Sequence, residues 1–410
     1  MAEEGRVGRE SGTHHSLLQS VEMGKTPLSS LNGRPDILFA TVAVGGGHVA
    51  TAHAMAEAIE RHYPERFELR VSDYMKDVGA IGTDRHQKGF WRRALHSPLL
   101  ARSGQRFIDS FPRATVSGQR ILLRSFIRAA ARDLKERSPK LIVSNHGLIT
   151  SGLTEAKRRS GLKVPVLTFA TEPHDISAYW AEPRADHIVV PSEEVREDLL
   201  RFGVPPDRLE VVGYPVRQSF LSPPTKEEAR GRLGLQERFT CLVSFGGEGI
   251  GRNQQPLIET LLNSGISPQV IAITGRNETL REELRKQYAG NDRLRVEGFV
   301  EDMASYLAAA DVFVGKAGPA SVYEALAVGR PALLTGYTGL NELGVLRFVE
   351  REGLGLYAKN SPALLRAVEQ YADDPALSEK VALRCRTLGI EDATERLARH
   401  VARYALQYGR

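Results

Sequence analysis

The stretch FGGEGIGR, residues 245–252, closes an apolar run at 239–245 and leads into a helical pattern from Asn253. Glycine permits tight turns and lets a ligand approach the main chain, and the first turn of the next helix leaves N–H groups free to face an anion. The stretch therefore reads as a phosphate-binding turn, with simple chain reversal as the plainer alternative. A second turn of this kind, VAVGGGH at 42–48, contains Gly46 and Gly47 and follows an apolar run at 37–44. Two glycine-rich strand-to-helix turns, about 200 residues apart, predict two nucleotide-binding-type domains that face a common cleft.

The pattern around these turns supports that division. Strand-like runs at 36–43, 67–73, 140–145, 164–171, 186–191 and 209–212 alternate with helical ones in the first half. The second half repeats the alternation with runs at 239–245, 269–274, 294–299, 312–315, 331–335 and 354–358. Such βαβ alternation predicts an α/β protein with parallel, doubly wound sheets covered by helices on both faces. The Pro-rich segment 216–230 lacks either period and reads as a linker. The predicted organisation is then a disordered leader at 1–33, a first Rossmann-like domain at 34–215, a second at 231–390, and a C-terminal helix at 391–410 that returns to the first domain.

A chain of 410 residues is long enough for two such cores. Its two cysteines, Cys241 and Cys385, have no CxxC or Cys/His spacing, which argues against a disulfide framework or a structural zinc and for the cell interior. No apolar run approaches the ~18 residues needed to span a bilayer. The net charge of +5 hides a strongly basic segment. Between Arg85 and Arg137, thirteen Lys or Arg, among them Arg92, Arg93, Arg102 and Arg106, face only Asp109, Asp133 and Glu136. They are interleaved with Trp91, Phe107, Phe111, Ile121, Leu122, Leu123, Phe126, Ile127 and other apolar residues. That composition suits a helical surface resting on anionic lipid headgroups, and equally an ordinary solvated helical insert with a buried apolar face. No zinc-finger, RNP-type or basic-zipper pattern is present, so nucleic acid is not an expected partner.

Candidate chemistry gathers at the strand ends. In VGKAGPASVYEALAVGRPALL, 314–334, a strand ends near Gly315 and a helix starts at Gly318 and Pro319. Free amides near Ala320 and Ser321, the helix dipole and Lys316 suit a pyrophosphate, and Glu324 lies one turn further in, where a carboxylate accepts ribose hydroxyls. Ser321 and Glu324 equally have the spacing of a capping box. Asn277 reads either as a ligand contact or as a helix cap.

These residues carry a resemblance. The ordered motifs GGGHVATAHAMAEAI (45–59), GYPVRQSF (213–220), GGEGIG (246–251), GRNETL (275–280), GFVEDM (298–303), KAGPASVYEAL (316–326) and GYTGLNE (336–342) resemble those of monogalactosyldiacylglycerol synthases and their relatives in glycosyltransferase family 28. The resemblance implies the GT-B fold, a UDP-sugar held by the second domain and an acceptor lipid admitted by the first. It implies that Gly246, Gly247 and Gly249 lie near the donor diphosphate, with Arg276 also on the donor side, that Phe299 and Val300 read uracil, that Ser321 caps the pyrophosphate and that Glu324 holds the ribose. Asn341 and Glu342 match a Gln-Glu pair that faces the hexose.

His48 and Glu172 are the candidate bases for the acceptor hydroxyl, with His146 and His174 as lesser ones; the implied reaction is inverting, with UDP departing. Gly46 and Gly47 belong to the acceptor side. No Asp-x-Asp pair is present, so amides and a helix dipole, without metal or other cofactor, are expected to hold the diphosphate. Ala320, Glu172, Asn341 and Val345 depart from the family pattern, which leaves the hexose open. A UDP-sugar 2-epimerase of the same fold and a catalytically silent nucleotide-sugar or lipid-binding protein are the competing readings. The expected location is the cytoplasm, peripheral on the inner face of the cell membrane.

Overall fold

All twelve predicted strands form, with ends displaced by at most two residues. They are β1 (Asp36–Thr41), β2 (Glu68–Asp73), β3 (Leu141–Ser144), β4 (Val166–Phe169), β5 (His187–Val190) and β6 (Leu209–Val211), then β7 (Thr240–Ser244), β8 (Gln269–Ile273), β9 (Leu294–Glu297), β10 (Val312–Lys316), β11 (Ala332–Gly336) and β12 (Gly355–Tyr357). The structure is a computed structural model that describes residues 36–43, 46–86, 89, 98–247, 249, 254–337 and 339–408. The expected leader, 1–33, lies outside the described residues. The helices that frame the sheets and the cleft include α1 (Gly47–His62), α2 (Pro98–Ser110), α3 (Pro112–Leu122), α4 (Arg124–Arg137), α5 (Gly147–Ser160), α6 (Lys226–Leu233), α7 (Gln254–Leu262), α8 (Glu278–Gln287), α9 (Pro319–Ala327), α10 (Leu340–Arg351) and α11 (Ala393–Tyr408).

The strands make two six-stranded sheets, ordered β2-β1-β3-β4-β5-β6 and β12-β11-β10-β7-β8-β9, with parallel pairing throughout. In each, successive strands first build outward in one direction and then in the other. The order reverses between β1 and β3 in the first sheet and between β7 and β10 in the second. At such a switch point the flanking connections leave on opposite faces and open a crevice beyond the strand C-termini. Both glycine-rich turns follow a switch-point strand.

Alternate residues of β1 show why both faces must be covered. Ile37 and Phe39 pack with Met55 and Ile59 of α1 and with Leu397 and Val401 of α11. Leu38 and Ala40 point the other way, onto Phe126, Ile127 and Leu134 of α4 and Leu153 of α5. Thus α11 returns from the end of the second domain to complete the first. Its entry is tight: a Cβ on Gly213 (φ 109°) would lie 2.6 Å from Cβ of Ala393. Thr394 Oγ1 accepts from the Val216 N–H and donates to the Val216 carbonyl, 2.9 Å each.

One expectation is corrected by the structure, and one open alternative is divided between its two readings. The segment 216–230 is no featureless linker. A short helix, Gln218–Leu221, buries Phe220 in the second core, and α6 begins at Lys226 behind a Thr225/Glu228 capping box. A capping box needs no apolar periodicity, which is why the period gave no sign of it. In the basic insert, Leu123, Phe126 and Ile127 do not face outward: all are fully buried, as part of the first core. Phe107, Phe111, Ile121 and Leu122 are the exposed ones, at 70%, 55%, 59% and 69%. Trp91, Arg92 and Arg93 lie outside the described residues, as does the side chain of Arg102. Both cysteines are free and buried.

Candidate active site

On the second domain the glycines after β7 interlock with the turn after β8. Gly246, Gly249 and Gly275 have φ of 82°, 60° and 61°. A Cβ on Gly249 would sit 1.9 Å from the Thr274 carbonyl oxygen, and one on Gly275 would sit 2.4 Å from that of Gly247. The Arg276 N–H donates to the Gly247 carbonyl at 2.9 Å, and Asn277 Nδ2 and Gln254 Nε2 both donate to that of Gly249 at 3.3 Å. Gly249 is thereby required by close backbone packing. Gly246, with no atom within 4 Å of its Cβ position, is required only by φ. The Arg276 guanidinium lies 4.5 Å from the centre of the Phe299 ring, and the Gly247 Cβ position is 3.7 Å from each of these side chains. Phe299 is half exposed beside this turn, while Val300 packs against the second core. Asn277 accepts from the Leu280 N–H and caps α8.

The connection after β10 supplies the other wall. Gly318 is the N-cap of α9 and Pro319 its first residue, as the Gly-Pro pair predicts, and no side chain caps the helix. Ser321 is therefore inside the first turn, and the capping-box reading of Ser321 and Glu324 fails. The leading amides of α9 keep their donors. Glu324 is half-buried; burial pushes its carboxyl up to about 7, against the opposing pull of Arg217. Lys316 pairs with Glu342, and the Gly318 Cβ position lies 3.6 Å from Lys316 Nζ and 3.9 Å from Glu342 Oε1. Lys316 thus lies beside the start of α9 with its charge already paired by Glu342. Asn341 turns its Oδ1 to within 2.5 Å of the Cβ position on Gly339.

The first domain meets this wall through α1. Gly46 (φ 82°) is its N-cap, and the Cβ position on Gly47 is 3.6 Å from Cβ of Ala320. The starts of α1 and α9 abut. One residue into α1, His48 Nδ1 lies 2.9 Å from the Asn145 carbonyl and 2.7 Å from Thr171 Oγ1. A carbonyl only accepts, so Nδ1 carries the proton and the lone pair is on Nε2. Burial holds the ring down to about 4 despite that hydrogen bond, and His48 is neutral at pH 7. Asn145 directly follows β3, the neighbour of β1 across the switch point, so the fold itself sets the tautomer.

The other candidate bases have local duties. His146, its ring 4.4 Å from that of His48, caps α5 by accepting from the Leu148 N–H at 3.2 Å. Glu172 is buried, accepts from the Tyr179 hydroxyl at 2.5 Å and from the Ser177 N–H at 3.3 Å, and burial pushes it up to about 7. It ties down the loop that holds Thr171 against His48. His174 belongs to the seam between the domains. It stacks on Phe348 at 4.6 Å, meets Glu194 Oε2 at 3.0 Å and Tyr323 at 3.4 Å, and Asp175 beside it pairs with Arg347 at 2.9 Å. Only glycine fits at 344, where a Cβ would lie 2.6 Å from Cβ of His174. Sequence reasoning missed Asn145, Thr171 and Arg217; the first two lie just beyond the C-terminal ends of β3 and β4, and that position was their only signal. A His187, Glu210 and His400 grouping with metal-type ligands lies on β5, β6 and α11, where His187 opens its strand at the end away from the cleft.

Two doubly wound parallel sheets that face one cleft through their switch points define the GT-B class of glycosyltransferase fold. Residues 48–216 match the monogalactosyldiacylglycerol (MGDG) synthase family model, and residues 252–342 match that of the glycosyltransferase family 28 C-terminal domain. The first half of the chain is thus similar to monogalactosyldiacylglycerol synthases, and part of the second to the C-terminal domain of glycosyltransferase family 28.

Among its relatives, a probable chloroplastic monogalactosyldiacylglycerol synthase of Nicotiana tabacum is 28% identical over 82% of this chain and 64% of that protein. The chloroplastic enzyme of Spinacia oleracea is 26% identical over 88% of this chain and 70% of that protein. The chain thus spans about two thirds of their length. In fold it is similar to Anabaena HepE in complex with UDP and glucose, at 17% identity and TM-score 0.54 over 90% of this chain and 99% of that one. It is also similar to a UDP-GlcNAc 2-epimerase of Neisseria meningitidis bound to UDP-GlcNAc, at 13% identity and TM-score 0.58 over 90% and 100%.

Proposed function

We propose that the protein is an inverting glycosyltransferase that moves a hexose from a UDP-sugar to a membrane lipid such as diacylglycerol. The observation that carries this is the abutment of α1 on α9, which sets a neutral histidine with a defined free nitrogen beside an uncapped helix start. In this reading the leading amides of α9 and the 246–249 turn hold the diphosphate and stabilise departing UDP, and no metal is needed for it. Glu324 holds the ribose, Phe299 and Val300 flank uracil, and Asn341 and Glu342 face the hexose. His48 Nε2 takes the proton of the acceptor hydroxyl as the anomeric carbon is attacked. Glu172 positions the loop beside it.

No described helix is long and apolar enough to cross a membrane. In the proposed arrangement Phe107, Phe111, Ile121 and Leu122, with exposed Arg106, Arg113, Arg124 and Arg128 around them, rest on an anionic bilayer at the inner face of the cell membrane. The test is a UDP-release assay with a panel of UDP-hexoses, run with and without diacylglycerol vesicles. UDP release and glycolipid only when the vesicles are present supports the reading. Vesicle-independent formation of a free 2-epimer sinks it in favour of an epimerase.

A further inference from the structure

Helix α2 belongs to the basic insert, yet one of its faces looks into the cleft. Asp109 fixes it: Oδ1 accepts from Ser177 Oγ and from the Ala178 N–H, both at 2.7 Å, which ties α2 to the loop that carries Glu172 and Tyr179. Residues four apart share a helix face, so the face that carries Asp109 also carries Gln105. Gln105 is half-buried, and its Oε1 lies 4.0 Å from the Cβ position on Gly339. Asn341 Oδ1 lies 2.5 Å from the same point. Two carboxamides from different domains thus converge on the main chain at Gly339. A carboxamide presents two donors and an acceptor, which suits vicinal sugar hydroxyls better than a charge does.

We propose that Gln105 is a specificity-determining residue for the donor hexose, hydrogen-bonding a sugar hydroxyl across the cleft from Asn341. The proposal rests on the reading of the second domain as a UDP-sugar site. It adds that the first domain reads the sugar too, through a helix not otherwise assigned to donor recognition. Because UDP lacks the sugar, the role separates cleanly from general effects on the cleft.

The experiment compares calorimetric affinities for UDP and for two UDP-hexoses epimeric at C4, in the parent, Gln105→Ala and Gln105→Glu, with thermal unfolding of each. The expected result is that Gln105→Ala weakens at least one UDP-hexose by roughly 3- to 10-fold, the equivalent of one lost hydrogen bond, and changes the ratio between the epimers. UDP affinity and Tm stay within error, and Gln105→Glu, which keeps the acceptor, recovers part of the loss. Equal weakening of UDP and UDP-hexose, or no change in either, overturns the proposal and leaves Gln105 as packing between α2 and the second domain. A parent chain that binds neither UDP nor UDP-hexose overturns instead the donor-site reading on which it rests.

Discussion

The main-chain carbonyl of Asn145 accepts from Nδ1 of His48 at 2.9 Å, although 97 residues separate the two. That bond fixes which ring nitrogen is available. His48→Ala should therefore lower turnover by ~10²–10⁴-fold. UDP affinity should stay nearly unchanged, since no donor contact is removed. Retention of most activity would remove His48 from the mechanism.

The pH dependence follows from the same burial. With the ring held down to about 4, its basic form persists through the neutral range, so an acid limb of kcat/KM due to His48 should fall near pH 4 and not near 6.5. The sign for stability is fixed as well. Between the folded value and the unfolded one the unfolded chain binds more protons, so the His48 contribution is present above about 6.5 and is lost as pH falls toward 4. Thermal unfolding of the parent and His48→Gln across pH 4–7 measures it, and a parent with no extra acid sensitivity would contradict it.

Glu324 offers the opposite case. Burial raises its carboxyl to about 7, so it gains its full acceptor charge only above that pH. A UDP-hexose, whose diphosphate does not titrate in this range, should bind more weakly as pH falls through 7. Glu324→Ala should cost about 1–3 kcal/mol at pH 8, through the loss of charge-assisted hydrogen bonds to ribose. Calorimetry from pH 6 to 8 tests both points, and unchanged affinity in the variant would end the ribose assignment.

Two glycines of one turn should respond differently to alanine. Gly246→Ala meets open space and bears only the cost of a left-handed φ, about 1 kcal/mol. Gly249→Ala drives a methyl into the Thr274 carbonyl, so the 246–249 turn must move. UDP binding should survive the first change and be lost or strongly reduced in the second. Equal effects would mean that the packing of the two turns is not what shapes the site.

For the membrane face, Phe107→Ser together with Phe111→Ser and Leu122→Ser should reduce cosedimentation with anionic vesicles. The side chains are exposed, so the changes should leave Tm and UDP affinity near the parent values. Normal cosedimentation of that variant at low salt would make the patch a contact for something other than lipid.

How much of the fold and the site was legible in the sequence depended on how local the cause was. The central strands β1, β3, β4, β7 and β8 are buried on both faces and read as nearly continuous apolar runs, while β2 (ELRVSD) and β9 (LRVE) are half-buried and were visible only through their place in the βαβ alternation. The two glycine-rich turns marked the switch-point strands because φ and close approach leave few substitutes. The tautomer of His48 was not legible, since Asn145 and Thr171 lie 97 and 123 residues away and only the strand order brings them together. Ser321 and Glu324 had capping-box spacing, and only the helix start at Gly318 showed that the pattern was accidental. In α4 the apolar residues Phe126, Ile127, Ala130 and Leu134 have the composition of a lipid-facing stripe; burial under the first sheet decided otherwise. Glu172 carries the burial of a tuned base, but Tyr179 and Ser177 occupy its oxygens.

Because α11 completes the first core after the chain has already built the second, the polypeptide passes between the domains twice, once near Val212–Val216 and again near Ala393. Thr394 and Gly213 hold the two passages side by side. A pair of domains joined by one strand can twist, bend and separate, whereas a pair joined by two adjacent strands keeps essentially one soft motion, rotation about the line through both. An opening about that line would carry Gly47 away from Ala320 and Asp175 away from Arg347 together. Substrate entry and product release then share a single coordinate with its pivot at the chain crossing, and Tyr323, set between Tyr214 of that crossing and His174, keeps the His174 seam close to the pivot.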